Sequence, residues 1–306
     1  MKVAFFSEME FQGKILRTHE NMRVEFAWMA TLKADHYTLG VIPNVEYDIA
    51  LVLNSKTKPN LLNVKKLKSK CKLVAILQEG PNWNFQDYSI QNQIHYYNNL
   101  VESDIIFTHN KIDKIYYKGL TNHPRVETLP SLMIHDPIKD LPQVDRSKVI
   151  IGGNFVSWYG GFDSYIVAQE MGEEIFCPSM GRKKEREEEI INHLPYMNWK
   201  EWMFSLNKFK YGIHLMRTHA AGTFALNCSY LGIPCIGYKG LDTQEILHPN
   251  LSIEIGDLIS AKKLAQKLKN DLEFYQEQSI LTKKLYKEKY HENIFNSTFK
   301  KQLKIS

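Results

Sequence analysis

A chain of 306 residues exceeds what one hydrophobic core usually organises, so two domains are the default expectation. Hydrophobic residues make up 43% and charged residues 24%, a globular balance that excludes disorder, and no apolar run reaches the ~18 residues that would span a membrane. The net charge of +5 permits an anionic partner without requiring one.

Met1-Lys-Val-Ala-Phe-Phe-Ser7 turns polar too soon for a signal peptide and reads as a first strand. Four cysteines, at 71, 177, 228 and 235, fall in no metal or Cys-x-x-Cys spacing, which predicts free buried thiols in a reducing cytoplasm. Strands are predicted at Lys2 to Phe6, Tyr37 to Ile42, Ile49 to Leu53, Leu73 to Leu77, Ile105 to Thr108 and Val126 to Leu129. A helix is expected from about Glu20, because Met22, Phe26, Met29 and Ala30 share one helical face. Seven lysines and no acid lie between Lys56 and Lys72, either a solvated helix face or a patch turned to a polyanion. Pro130 to Arg146 carries three prolines and no usable period, as an interdomain linker would.

A second alternating series follows, with strands at Lys148 to Gly153, Glu174 to Cys177, Tyr211 to Met216, Pro234 to Gly237 and Leu251 to Ile255. Helices are predicted from Gly161 to Met171, from Trp199 to Asn207 and from Leu258 to Phe274, and the last thirty residues read as helical and basic. The pattern predicts an α/β protein with two Rossmann-like doubly wound domains in tandem, 1–146 and 147–285, and a C-terminal helix, 286–306, crossing back to the first. Ligands of such sheets bind at the carboxyl ends of the strands, so the loops after them are the candidate site.

Four of those loops suit an anionic ligand. Gly152-Gly-Asn-Phe-Val-Ser-Trp-Tyr-Gly-Gly161 lets backbone approach closely, with Gly153, Asn154, Trp158 and Tyr159 as binding candidates, or is a plain βα turn. Met180-Gly-Arg-Lys-Lys184 offers Arg182 and Lys183 to a diphosphate, unless it is a solvated charge run. His193-Leu-Pro-Tyr-Met-Asn-Trp199 places Tyr196 and Met197 where backbone groups read a base. Arg217-Thr-His-Ala-Ala-Gly-Thr223 opens a helix whose free N–H groups, near Ala221, Gly222 and Thr223, face an anion beside Arg217.

Taken together, these loops resemble the donor domain of GT-B fold nucleotide-sugar glycosyltransferases over residues 148 to 285. That superfamily commonly brackets the phosphate-binding helix start with two acidic residues eight positions apart, ahead of a Gly-x-Pro strand entry. Here Leu231-Gly-Ile-Pro-Cys-Ile-Gly237 supplies the entry, but His219 and Asn227 stand where the carboxylates would be. The resemblance implies that Asn227 bonds the ribose and His219 touches the donor sugar. It implies a nucleoside-diphosphate sugar as cosubstrate, most simply a UDP-sugar, and retaining chemistry. No Asp-x-Asp stands in a suitable loop, so no metal is expected.

In the first domain Glu79 and His109 follow strands toward the presumed cleft and are candidate bases for an acceptor hydroxyl, with loop roles as the alternative. The resemblance places Glu8, Glu10, Arg17 and Arg23 in or beside the loop that overhangs the donor in such folds, and Glu8, Gly13, Arg17 and Arg23 are acceptor-side candidates. Met1 to Met9 and Asn21 to Trp28 are loosely similar to glycosyltransferases of T-even-like phages, which modify hydroxymethylated pyrimidines in DNA. That similarity implies a DNA acceptor, with the base flipped from the duplex, in a host cytoplasm. A surface glycan or lipid-linked sugar is the competing acceptor. A non-catalytic two-lobed binding protein and a nucleotide-sugar epimerase are the readings of other classes.

Overall fold

The computed structural model describes residues 1–55, 58–81, 88–153, 155, 158–179 and 191–303. Asn154, Arg182, Lys183 and Lys56, singled out above, lie outside the described residues.

Two six-stranded, all-parallel sheets organise the chain. The first contains β1 (Val3–Ser7), β2 (Asp35–Thr38), β3 (Tyr47–Leu53), β4 (Cys71–Gln78), β5 (Ile105–Thr108) and β6 (Val126–Thr128), in the order β2-β1-β3-β4-β5-β6. The second contains β7 (Ser147–Ile151), β8 (Ile175–Cys177), β9 (Asn192–His193), β10 (Phe209–His214), β11 (Cys235–Tyr238) and β12 (Ser252–Ile253), in the order β12-β11-β10-β7-β8-β9. These are the two doubly wound lobes that the alternating pattern predicts. Helices cover both faces of each sheet, so central strands are apolar throughout: Ala-Ile-Leu and Ile-Ala-Leu-Val runs in β4 and β3 are buried residue after residue. Strand order reverses between β1 and β3 in one lobe and between β7 and β10 in the other, and each reversal opens a crevice.

The first-lobe helices are α1 (Glu25–Leu32), α2 (Val64–Lys68), α3 (Ile90–Glu102) and α4 (Lys111–Thr121). Those of the second are α5 (Gly161–Ala168), α6 (Trp199–Leu206), α7 (Thr223–Leu231), α8 (Asp242–Leu247), α9 (Leu258–Asn270) and α10 (Leu272–Lys289), followed by α11 (Glu292–Leu303). Several boundaries differ from the sequence reading, three of them for a visible reason. Helix α1 begins five residues late, because Val24 has φ 44 and donates its N–H to Leu132 while Arg23 bridges Met133. Strand β2 ends at Thr38, where Leu39 turns to bond the Ser7 carbonyl. The predicted helix from Leu258 to Phe274 is two helices: Asp271 is extended, its side chain accepts the Phe274 N–H, and Leu272 is left exposed. The proline-rich segment after β6 connects the sheets but is no loose tether, since Leu132, Met133, Ile134 and Ile138 are buried.

Those four residues join an apolar cluster that continues from Phe5, Leu51 and Phe107 of the first lobe to Ile150, Trp199 and Phe224 of the second. Helix α11 lies on the first lobe: Phe295 packs on Trp28, Phe299 on Phe107, and Arg125 donates to the Gln302 carbonyl. Arg17 fastens it, donating Nη1 and Nη2 to Glu292 at 2.7 and 2.9 Å and Nε to Asp136 at 2.8 Å. The sequence placed Arg17 over the donor; its guanidinium is instead a clamp between loop, linker and last helix. Because the clamp is partly exposed, Arg17→Ala should cost only about 1 kcal/mol, read as a fall in urea midpoint. An unchanged midpoint would show that the apolar face of α11 holds it alone.

Three lysines of the lysine-rich run have carboxylate partners. Lys72 at the start of β4 pairs with Asp48 at the start of β3, and Lys68 and Lys65 pair with Asp104 and Glu102. These pairs lie toward the amino ends of the strands, opposite the crevice.

Candidate functional site between the lobes

At the crevice of the second sheet, β7 leads into Gly152-Gly153 and β10 ends in His214. Gly152 has no room for a side chain, since a Cβ would stand 2.5 Å from the His214 ring. Gly153 is similarly closed by Tyr159, at 2.7 Å. The glycines of this loop therefore serve packing of backbone against ring, and Trp158 next to Tyr159 remains partly exposed. Burial holds His214 down at about 4, so it is neutral at pH 7, and its Nε2 has no hydrogen-bond partner among the described residues.

Helix α7 starts from this crevice. Gly222, at φ 66, is its N-cap, and no side chain caps it. Leu226 is the residue whose N–H returns to the Gly222 carbonyl, which leaves the N–H groups of Thr223 to Ala225 ahead of any intrahelical acceptor. The neighbouring α6 is different: its first N–H groups are taken by Asn21 Oδ1 at 2.9 Å and by the Glu20 carbonyl at 2.8 Å, both from the first lobe. Of these two helices, α7 is the one with an open, positive end.

That end meets a cavity of about 250 Å³ lined by Gly152, Tyr196, Met197, Trp199, Thr223 and Asn227, with Arg23 and Asn21 from the first lobe. The structure thus gathers five sequence candidates, Tyr196, Met197, Thr223, Asn227 and Arg23, into one wall. Tyr196 is 72% exposed and free to fold over a ligand, whereas Asn227 is buried, its Oδ1 accepting from Trp199 Nε1 at 3.3 Å. Val24, next to Arg23, has a φ that a β-branched residue rarely adopts, and such strain gathers at binding sites. Arg217 stands on the surface beyond this loop and donates to Asp163 at 3.0 Å, so it must exchange a carboxylate to meet a phosphate.

The two candidate bases, Glu79 and His109, and His219 converge elsewhere. His219 Nδ1 lies 3.0 Å from Asp113 Oδ1, and Asp113 is 1% exposed. His109 is 4% exposed; burial pushes it below the ordinary imidazole value, with Glu79 and Asp113 pulling it back up. Glu79 is half-buried, and its carbonyl accepts from Tyr117. None of the three lines the 250 Å³ cavity; His219 lines another, of about 730 Å³, with Lys111, Gly240 and Asp242. Thus His219 and Asn227 keep their spacing along the chain but face different cavities.

The loop between Arg217 and Gly222 is held from the first lobe at three consecutive carbonyls. Gly80 N–H donates to His219, Asn110 Nδ2 to Ala220 and Ser131 Oγ to Ala221. Asn110 also donates to Asp113 and accepts the Asp242 N–H. Asp113 and Ser131 were not site candidates from sequence, because one reads as a first-turn helix acid and the other as a linker polar residue. Glu8 accepts from Ser55 at 2.8 Å at the crevice of the first sheet. Gly13 is remote: it exchanges backbone hydrogen bonds with His36 in β2, at the edge of that sheet. Among the described residues no group of three His, Cys, Asp or Glu is arranged to hold a metal, and the four cysteines are free and buried.

No family model and no curated protein matches the sequence. Solved structures do match. TarM from S. aureus, in complex with UDP and α-GlcNAc-glycerol, gives a TM-score of 0.65 at 11% identity over 83% of this chain and 55% of TarM. Sucrose-phosphate synthase from Thermosynechococcus elongatus gives 0.64 at 10% identity, covering 84% of this chain and 73% of that one. The pneumococcal O-GlcNAc transferase GtfA, in complex with UDP and GlcNAc, gives 0.61 at 10% identity over 85% and 57%. This chain spans little more than half the length of TarM or GtfA. Identities this low carry the fold alone, and the fold they carry is that of two facing Rossmann-like lobes, the GT-B architecture.

Proposed function

We propose that the protein is a glycosyltransferase that moves a sugar from a nucleoside-diphosphate sugar, a UDP-sugar first of all, to an acceptor hydroxyl. The observation that carries this reading is the uncapped start of α7 opening into a cavity walled by both lobes, at the strand-order reversal of the second sheet. Residues 1–146 form the acceptor side and 147–285 the donor side in this reading. The leaving diphosphate sits against the N–H groups of Thr223 to Ala225, with Arg23 above it, and Asn227 meets the ribose. UDP bound in TarM and in GtfA agrees with that donor.

The reaction breaks the bond between C1 of the sugar and the diphosphate oxygen and forms one to the acceptor oxygen, whose proton leaves to a base. His219, hydrogen-bonded to Asp113, lines the neighbouring cavity rather than this one, so it can serve as that base only for an acceptor seated there. No metal enters this scheme, so full activity is expected in excess chelator, and complete loss there would remove it. Two acceptors enter the test. Hydroxymethylated pyrimidine in DNA rests on the similarity of the first lobe to phage enzymes, and a glycan hydroxyl rests on the α-GlcNAc-glycerol in TarM.

The experiment is release of nucleoside diphosphate from a donor panel, with hydroxymethylated DNA and with glycans. Turnover stimulated by one acceptor class selects it; no turnover with any donor leaves a binding protein. In the same assay Asn227→Ala should weaken UDP affinity about tenfold, the worth of one buried hydrogen bond. Wild-type affinity in that variant would place the donor elsewhere.

A further inference from the structure

A cavity of about 1020 Å³ lies far from the α7 N-terminus, at the other end of that helix. Its wall holds four cations, Arg146, Lys210, Lys283 and Lys287, against the single carboxylate of exposed Asp145. None of the four forms an ion pair among the described residues. Arg146 is half-buried and donates to the carbonyls of Asn207 and Leu231 and to Asn207 Oδ1, neutral acceptors that leave its charge uncompensated. Lys283 and Lys287 are one turn apart on α10 and face the same space.

Gathering like charges costs energy, and burial and the two neighbouring cations hold Lys283 below its ordinary value. Lys283, exposed like Lys287, is nevertheless packed along its stem. Its stem lies across Gly232, where a Cβ would stand 2.6 Å from Cε, so the bare glycine at φ 71 is what lets it pack there. Around the cations stand Tyr230, Tyr275 and Tyr286, and Lys210 Nζ lies 5.2 Å from the Tyr275 ring. His135 stacks on Tyr230 and is held down at about 4, hence neutral. A cationic cluster without carboxylate partners among the described residues, floored by aromatic rings, suits an anion that carries an organic part.

We propose that this cavity is a second ligand site, separate from the cleft, that takes a phosphate-bearing small molecule. Its phosphate lies between Arg146, Lys283 and Lys287, and its organic part lies against the tyrosines. The inference stands whether or not the cleft binds a nucleotide sugar.

Calorimetric titration of the full chain with inorganic pyrophosphate, UMP and glucose 6-phosphate, at constant ionic strength, tests it. Lys283→Glu with Lys287→Glu should weaken at least one of these ligands tenfold or more, while Asn227→Ala leaves that binding unchanged. Pyrophosphate alone would identify the phosphate as sufficient; UMP or glucose 6-phosphate binding tighter would show that the rings read the organic part. Should charge reversal unfold the helix, Lys283→Gln with Lys287→Gln removes the charge and keeps the stem. Equal affinity in wild type and lysine variants, loss only in the cleft variant, or no binding of any probe would overturn the proposal.

Discussion

Gly222→Ala is expected to lose about 3 kcal/mol or more of stability and, with it, UDP binding. Two costs add. The residue sits at φ 66, where a side chain is strained by about 1 kcal/mol, and the new Cβ would stand 1.9 Å from Thr243 Oγ1, a buried side chain without room to move. Relief requires α8 to withdraw or the start of α7 to turn, and either moves the N–H groups of Thr223 to Ala225. Gly160→Ala should behave alike at the start of α5, since its Cβ would meet the Leu215 carbonyl at 2.1 Å. Gly119→Ala is the control: it sits within α4 with nothing within 4 Å, and should stabilise by about 0.5 to 1 kcal/mol. Urea midpoints of the three variants decide it; a Gly222 variant as stable as wild type would mean that the helix starts differently.

The second large effect is acid sensitivity. His135, His214 and His248 are each held down at about 4, first of all by burial, from an ordinary value of 6.5. The unfolded chain therefore binds more protons than the folded one between those values. Stability from these groups is fully present above about 6.5 and is lost as pH falls toward 4, at about 1.4 kcal/mol per pH unit for each histidine. Half-buried Asp242, whose carboxyl is pushed up, works in the opposite direction and offsets part of the loss. Urea midpoints at pH 7, 6 and 5 should fall steeply, and His214→Leu should flatten the slope by one histidine's share. Equal midpoints at pH 7 and 5 would show that these rings are hydrated in solution.

Much of this architecture is legible in the sequence because parallel strands buried on both faces are continuous apolar runs, and Gly-bounded helices punctuate them. The start of α7 was legible for the same reason: Ala221-Gly-Thr-Phe joins a left-handed glycine to an apolar helix. What escaped depends on contacts between distant segments. Val24 departs from the helical pattern of its neighbours because Leu132 and Met133, more than a hundred residues away, hold it. Leu272 fits the apolar face of a helix from Leu258, but Asp271 caps a new helix and turns that face outward. His219 and Asn227 have the right spacing, yet spacing does not say which way a loop side chain points, and Asp113 turns His219 aside. Arg17 looked free to meet a donor because its partners, Asp136 and Glu292, are remote in the chain.

The three carbonyls of His219, Ala220 and Ala221 give the loop before α7 two owners. Its residues are encoded in the second lobe, but its shape is specified by Gly80, Asn110 and Ser131 of the first. The lobes cannot part without releasing those oxygens to water, so opening of the cleft and loosening of the loop are one event. A survey of variants that stopped at the second lobe would miss Gly80, Asn110 and Ser131, which set the shape of this loop.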